Sequence, residues 1–435
     1  MVALTPMNLP GINPCSYHSI FPLMLYEGKE TREQLKEVLT PLNSEMDELK
    51  KPHNIDGYDG EFTCEFTCCA DYFALVKLMR PAKDEVVNNK KSDSCTCAFC
   101  GDKRRTARGF PGWAKTIKED VWETIPNEDL KSNILRGIPL KKFLFCILHL
   151  KVRIMGTFLK YLVRDTEKHK KCKQLTKALQ AIVRTFNITL KGETLKSTGK
   201  KNTKQAKISA MQGGQVDKIM HCIRLHHKNQ QPGADLTADE LLSAQQWQQV
   251  LDSTGIEAEA EVLDAHTQTF QLFTQAYDLL NSTTDVTDAQ LATYQKCVAD
   301  LADVFVEDRG LVAVTPYLHI LFKHSYAYLK EFRSLRQWSQ EAFEASHKRH
   351  KQYYSKTNYG GGKNGDPSSS YLQVLQKLYR RQYLEQKIEL ARLEQEAWAT
   401  KDRKQFIATH RARVVHRAKA ARRSSKNKSR SRDGV

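Results

Sequence analysis

Two short cysteine and histidine spacings, far apart in the chain, constrain this sequence more than any other feature. Cys97 and Cys100 stand as C-x2-C, and His319 and His324 stand as H-x4-H. Thiolates at that spacing on a tight turn supply half of a zinc site, and imidazoles at the other spacing supply the other half of a C2H2 set. If the halves join, the intervening two-hundred-odd residues cannot be a small finger. They must form a large insertion clipped together at its two ends. The competing reading is an inert buried cysteine pair and ordinary half-buried histidines, and Cys95, two residues earlier, leaves the register open.

Glu344 lies twenty residues beyond His324, in an aromatic and basic helical pattern that runs to Tyr354. Earlier in the chain, Glu61 to Cys69 reads as a strand of β-branched, aromatic and cysteine residues, and Phe73 to Met79 as an apolar helix. Asp71 stands between them. A carboxylate at the C-terminal end of a strand, opening a helix, is placed either to bind a metal ion or simply to cap the helix.

Charge narrows the partner. The chain has 435 residues, room for two to three domains, and a net charge of +18. The last 35 residues, from Lys401, carry thirteen Lys/Arg and two Asp, whereas Gln231 to Asp308 carries fifteen acids and one lysine. Such asymmetry points to a polyanion, nucleic acid first, bound away from the acidic segment. The N-terminus has no charged region or continuous apolar run of the kind a signal peptide needs. The most apolar stretch, Phe143 to Val163, is interrupted by Lys151, Arg153 and Lys160, which argues for a buried helix and against a membrane span. Eleven cysteines without a secretion signal suggest reduced thiols and metal ligation.

Periodicity predicts helices over Glu27 to Lys51 (kinked or split at Pro41), Lys141 to Arg164, Lys168 to Leu190 and Ile208 to His227. In the acidic segment it predicts Thr237 to Ser253, Glu257 to Asn281 and Asp285 to Val306, with capping boxes at Thr237/Glu240 and Thr287/Gln290. A glycine-rich linker at Gly360 to Ser370 lacks the GK[ST] ending of a phosphate-binding loop. A charged helix follows at Tyr371 to Thr400, and then a basic tail with the composition of disorder.

The residues YLHILFKH, followed by SLRQWSQEAFEASHK, resemble the catalytic subunit of the V(D)J recombinase and its Transib-type transposase relatives. In that family a C-x2-C follows the second catalytic Asp. An H-x4-H then precedes the catalytic Glu in a W-[AS]-x-E-x-x-E-x-x-x-K context. Trp338, Ser339, Glu341, Glu344 and Lys348 fill that pattern, with His347 where the family has Asn. Pro22 to Leu49, Glu61 to Asp71, Leu148-His149, Ala206 to Met220 and Tyr371 to Glu385 also resemble family segments, so the likeness spans about Cys15 to Glu385.

The resemblance implies an α+β, predominantly α-helical fold: a partial ribonuclease-H-like core interrupted by a large zinc-stapled helical insertion. It divides the chain into the partial core at 1–94, the insertion with its zinc clip at 95–314, the remaining zinc ligands and the Glu344 helices at 315–400, and the basic tail at 401–435. It implies Zn²⁺ on Cys97, Cys100, His319 and His324. It also implies a DDE mechanism, in which three carboxylates hold two Mg²⁺ or Mn²⁺ ions; one ion activates water or a 3′-hydroxyl and the other stabilises the leaving oxygen. Asp71 takes the place of the second acid and Glu344 of the third. The family's first Asp corresponds to a position before Met1, so the expectation is a piece of a longer transposase or a relic, with DNA cleavage incomplete or lost. DNA binding is expected from the basic insertion, the tail and Lys348, Arg349 and Lys351. A nuclear location, a homodimer and an accessory recombinase subunit follow from the same likeness. The alternatives are a non-catalytic, zinc-stabilised DNA-binding or structural protein, and an RNA-binding helical protein with a basic tail.

Overall fold

The computed structural model describes residues 2–4, 21–24, 31–54, 61–79, 97–100, 133–169, 186, 190–192, 206–208, 211–254, 260–341 and 343–344, and the pairs 376–377, 379–380, 383–384, 387–388 and 391–392. The chain divides into two compact units. One comprises Met1–Glu27, Val38–Phe66 and Phe343–Val435; the other comprises Gly28–Glu37 and Thr67–Ala342.

Strand β1 (Val2–Leu4) pairs antiparallel with β2 (Phe21–Met24). Helix α1 (Arg32–Leu49) buries Leu35, Leu39 and Met46 along one face, with Val38 and Leu42 of the same helical spacing half-buried. It is one helix, with Pro41 inside it and neither split nor ended there. The short strands β3 (His53–Asn54) and β4 (Glu61–Phe62) pair antiparallel. The predicted strand at Glu61 to Cys69 is thus two strands, because β5 (Cys68–Ala70) is separate and pairs elsewhere. Directly after β5, helix α2 (Tyr72–Met79) buries Tyr72, Leu75, Val76, Leu78 and Met79.

The partner of β5 is β6 (Phe143–Phe145), which runs parallel to it with Cys68 opposite Phe143 and Ala70 opposite Phe145. The sequence reads Lys141 to Arg164 as one helix. Instead a 3-10 turn (Leu140–Lys142) leads into β6, and helix α3 (Ile147–His169) starts only after it. A continuous apolar run such as Phe-Leu-Phe fits a buried strand as well as a buried helix, so periodicity does not separate them. Pairing with β5 decides it, and all three residues are buried.

After the antiparallel pair β7 (Leu190–Gly192) and β8 (Ala206–Ile208) come α4 (Gly213–Asn229), α5 (Ala238–Thr254), α6 (Ala260–Leu280), α7 (Asp288–Arg309), α8 (Pro316–Lys323) and α9 (Ser325–Phe332). Helix α3 is the hub: α4, α6 and α8 pack on it, α5 packs on α4, and α7 packs on α6, α8 and α9. Phe158 of α3 places its ring against Phe270, Phe273 and Phe305, and Trp247 of α5 is fully buried against Phe270.

Both predicted capping boxes are formed. Thr237 Oγ1 accepts the Glu240 amide while Glu240 Oε2 accepts the Thr237 amide, and Thr287 and Gln290 repeat the exchange. The acidic helices are therefore a packed layer of a helical bundle. The fold class is α+β and predominantly α-helical, and the described strands form two-stranded pairs. No helix among the described residues is long and apolar enough to cross a membrane. Lys348, Arg349, Lys351 and the tail at 401–435 lie outside the described residues.

Candidate metal centre and the flanking carboxylates

His319 sits in α8, whose start is set by Thr315 and Pro316. Thr315 Oγ1 accepts the Leu318 amide at 3.3 Å, and Pro316 occupies the first helical turn, where no amide is needed. On a straight helix residues five apart point roughly 140° away from each other. His324, however, is the junction residue between α8 and α9, with φ −118° and ψ −30°. That break brings the rings together, with centroids 4.9 Å apart. Cys97 and Cys100 lie on a buried turn that faces them, shielded by Phe99, whose ring contacts His324 and Tyr328.

The four ligand atoms converge. Cys97 Sγ lies 3.3 Å from His324 Nε2, Cys100 Sγ lies 3.4 Å from His319 Nε2, and the two Nε2 atoms are 3.2 Å apart. All four lie within 4.8 Å of one another, and all four residues are buried. A tetrahedral zinc ion with Zn–S near 2.3 Å and Zn–N near 2.05 Å requires S···N edges of about 3.5 Å and N···N edges of about 3.35 Å. These three edges lie within a few tenths of an ångström of that tetrahedron's, and no pair of the four atoms is more than 4.8 Å apart. The protonation tendencies agree with it. Burial pushes the Cys97 thiol up, but its hydrogen bond to Cys100 and the fields of His324 and His319 outweigh burial and hold it well below the usual thiol range. Burial holds the His324 imidazole below its ordinary value, against the pull of Cys97, which favours the neutral form that ligates metals. The residues fit a metal ion such as zinc, in a closed site with no open position.

Asp71 ends β5 and opens α2, and its Oδ1 accepts the Ala74 amide at 2.8 Å. It is thus a helix N-cap, one of the two readings that the sequence leaves open, and one carboxylate oxygen is committed to that cap. The next residue, Tyr72, packs its ring on Tyr317 of the histidine-bearing helix, with centroids 5.9 Å apart. Burial raises the Tyr317 phenol well above its usual range, and the Asp71 charge adds to the upward shift.

Glu344 is helical and exposed, in the compact unit to which Asp71 does not belong. The segment that leads to it is pinned at three points. Cys69 Sγ donates to the Trp338 carbonyl at 3.0 Å, and Gln340 Nε2 donates to the Cys69 carbonyl at 2.7 Å. Lys151 Nζ bonds Glu341 Oε1 at 3.0 Å and Asp217 Oδ1 at 2.6 Å. Lys151 is only 1% exposed and lies 5.4 Å from the Tyr277 ring centroid.

In the sequence Lys151 stands only as a charge that interrupts an apolar stretch. That interruption was the available signal: a lysine within a buried helix needs an anionic partner. The pairing of Cys69 with the segment before Glu344 left no such trace.

No model of a known protein family matches this chain, and no curated protein matches it.

Proposed function

We propose that this chain is a transposase- or recombinase-derived DNA-binding protein, related to the DDE endonucleases and strand transferases, with Zn²⁺ held by Cys97, Cys100, His319 and His324. The observation that carries the reading is the convergence of these four residues, in the order and spacing that the resemblance requires. The strongly basic charge outside the acidic helices supports a polyanionic partner. Zinc here supplies cross-linking, with no position for substrate, so its role is to clip the insertion shut.

In this reading Asp71 and Glu344 are the acidic residues that bind Mg²⁺ or Mn²⁺, on a ribonuclease-H-like core. The likeness identifies two of the three carboxylates that two-metal chemistry uses among residues 1–435, so these residues by themselves bind DNA and cleave it poorly or not at all. Lys348, Arg349 and Lys351 contact phosphate, the protein acts in the nucleus, and a second copy and an accessory recombinase subunit are its protein partners.

A second reading is a zinc-stabilised DNA-binding or structural protein without any divalent-metal site. The observation in its favour is that Asp71 already caps α2.

The test uses the purified full chain with supercoiled plasmid and Mg²⁺ or Mn²⁺, beside Glu344→Ala. Expected are salt-dependent binding to duplex DNA and no Glu344-dependent nicking. Robust nicking that Glu344→Ala abolishes overturns the non-cleaving part. Failure to retain duplex DNA at about 50 mM salt, where phosphate contacts are strongest, overturns the DNA reading.

A further inference from the structure

The helical residues described between 376 and 392 are exposed and include Lys377, Arg380, Lys387 and Arg392 with Tyr379, Tyr383, Leu384 and Ile388. The stretch as a whole is basic, with five Lys/Arg against Glu385 and Glu389. Tyr383 is 58% exposed, Leu384 59% and Ile388 68%. Large side chains so exposed and so close together mark an interaction surface.

The arrangement narrows the partner. At about 100° per residue, Arg380 and Lys387 fall within roughly 20° of each other, down the middle of the face. Tyr383 lies about 60° to one side of Arg380, and Leu384, Lys377 and Ile388 lie about 40° to 80° to the other. The cations are interleaved with the apolar groups rather than segregated at the flanks. A membrane-bound helix places its cations at the edge of an apolar face, where they reach the headgroups; a central cationic ridge would be driven into the acyl layer. Pairing with the same face of a second copy would bring ridge against ridge, with like charges opposed. A polyanion suits both components, since phosphates neutralise the ridge and the Tyr, Leu and Ile groups cover sugar and groove walls. The Lys387 ammonium already lies 5.0 Å from the Tyr383 ring centroid, which holds this cation along the face before any ligand arrives.

We propose that the face carrying Lys377, Arg380, Tyr383 and Lys387 binds the phosphate backbone of duplex DNA. This surface is additional to Lys348, Arg349, Lys351, the insertion and the tail, and the proposal rests on the DNA-binding reading above. The contacts position the duplex and carry no base readout, so they contribute affinity at any sequence.

The experiment measures fluorescence anisotropy of a labelled 30-base-pair duplex with the full chain, from 50 to 300 mM KCl. The wild type is compared with Lys377→Ala/Arg380→Ala/Lys387→Ala, with Lys387→Arg and with Lys348→Ala/Arg349→Ala/Lys351→Ala. Each lost phosphate contact lowers the slope of log affinity against log salt by about 0.9, so the first triple variant should lose about 2.7. Its affinity at 100 mM should fall tenfold or more on every duplex sequence, with Lys387→Arg near wild type. Equal zinc content and melting temperature in all the proteins establish that the surface variants fold. An unchanged slope in the first triple variant, with the wild type binding duplex and the Lys348 triple variant impaired, overturns this surface and leaves the DNA reading standing. A wild type that binds no duplex overturns both. If the first triple variant instead loses binding to phosphatidylserine vesicles, or loses self-association in sedimentation, with duplex binding intact, the face serves a lipid or a second copy and the proposal is wrong.

Discussion

Cys97 Sγ and His324 Nε2 lie 3.3 Å apart although 227 residues separate them in the chain. Cys100 and His319 make the matching contact across 219 residues. A cross-link between such distant points removes much of the entropy of the unfolded chain, and closing a loop grows costlier with its length.

The first prediction concerns the metal. The purified chain should carry one equivalent of zinc by elemental analysis. Cys97→Ser and His324→Ala should each reduce it to a small fraction. Since structural zinc contributes roughly 10–16 kcal/mol in small zinc-dependent domains, chelation should lower the melting temperature steeply and open the segment between Cys100 and His319 to protease. Unaltered zinc content in both variants would refute the cluster as a binding site.

The second concerns the cap that positions His319. Thr315→Ala removes the acceptor of the Leu318 amide and should cost about 0.5–2 kcal/mol. It should also weaken zinc retention in a competition with a chromophoric chelator. Thr293→Ala, in the body of α7 on an exposed position, should change stability by less than about 0.5 kcal/mol. Equal effects of the two changes on zinc would sink the positioning argument.

The third concerns Lys151, which is buried while its partners Asp217 and Glu341 are more than half exposed. Lys151→Met keeps the aliphatic volume and leaves two carboxylates that water can solvate, so it should cost less than about 1.5 kcal/mol. Asp217→Ala with Glu341→Ala strands a buried ammonium and should cost about 3–5 kcal/mol. Urea midpoints with unchanged slopes would measure both; the reverse order of costs would show that the ion network is not what holds Lys151.

The fourth concerns pH. Asp165 of α3 is buried against His266 of α6 and Arg309 of α7, at 2.9 and 2.5 Å. Burial alone would raise its carboxyl, but the hydrogen bonds and charges of His266 and Arg309 outweigh that and hold it well below the usual carboxylate range. A depressed folded pKa contributes stability that is fully present above the unfolded value, about 3.9. That stability is lost as pH falls from there through the folded value. Asp165→Asn should therefore be about 1.5–3 kcal/mol less stable near pH 7, because His266 and Arg309 lose a charged acceptor while Arg309 keeps its pairing with Asp308. The gap to wild type should narrow below about pH 4. A gap of constant size from pH 7 to pH 2.5 would contradict this assignment; both proteins carry the same thiol and imidazole cluster, so metal loss in acid affects them alike.

Much of this protein is determined locally. The acidic helices and their capping boxes follow from residues three and four apart, which contact one another whatever the rest of the chain does. The ligand types of the metal centre were legible for the same reason, since C-x2-C and H-x4-H are short-range patterns. So was the choice at Asp71 between metal ligand and cap, of which the cap is now observed.

Tertiary structure decided what depends on partners distant in sequence. Phe143 to Phe145 is a strand because β5 offers it a parallel neighbour, a fact absent from its own pattern. Lys151 became an anchor because α4 and the segment before Glu344 bring carboxylates to it. The two halves of the candidate metal centre meet because α8 breaks at His324 and the Cys97–Cys100 turn packs against that break. Short-range spacing specifies which atoms can ligate; only the packing of helices around α3 brings those atoms to bonding distance.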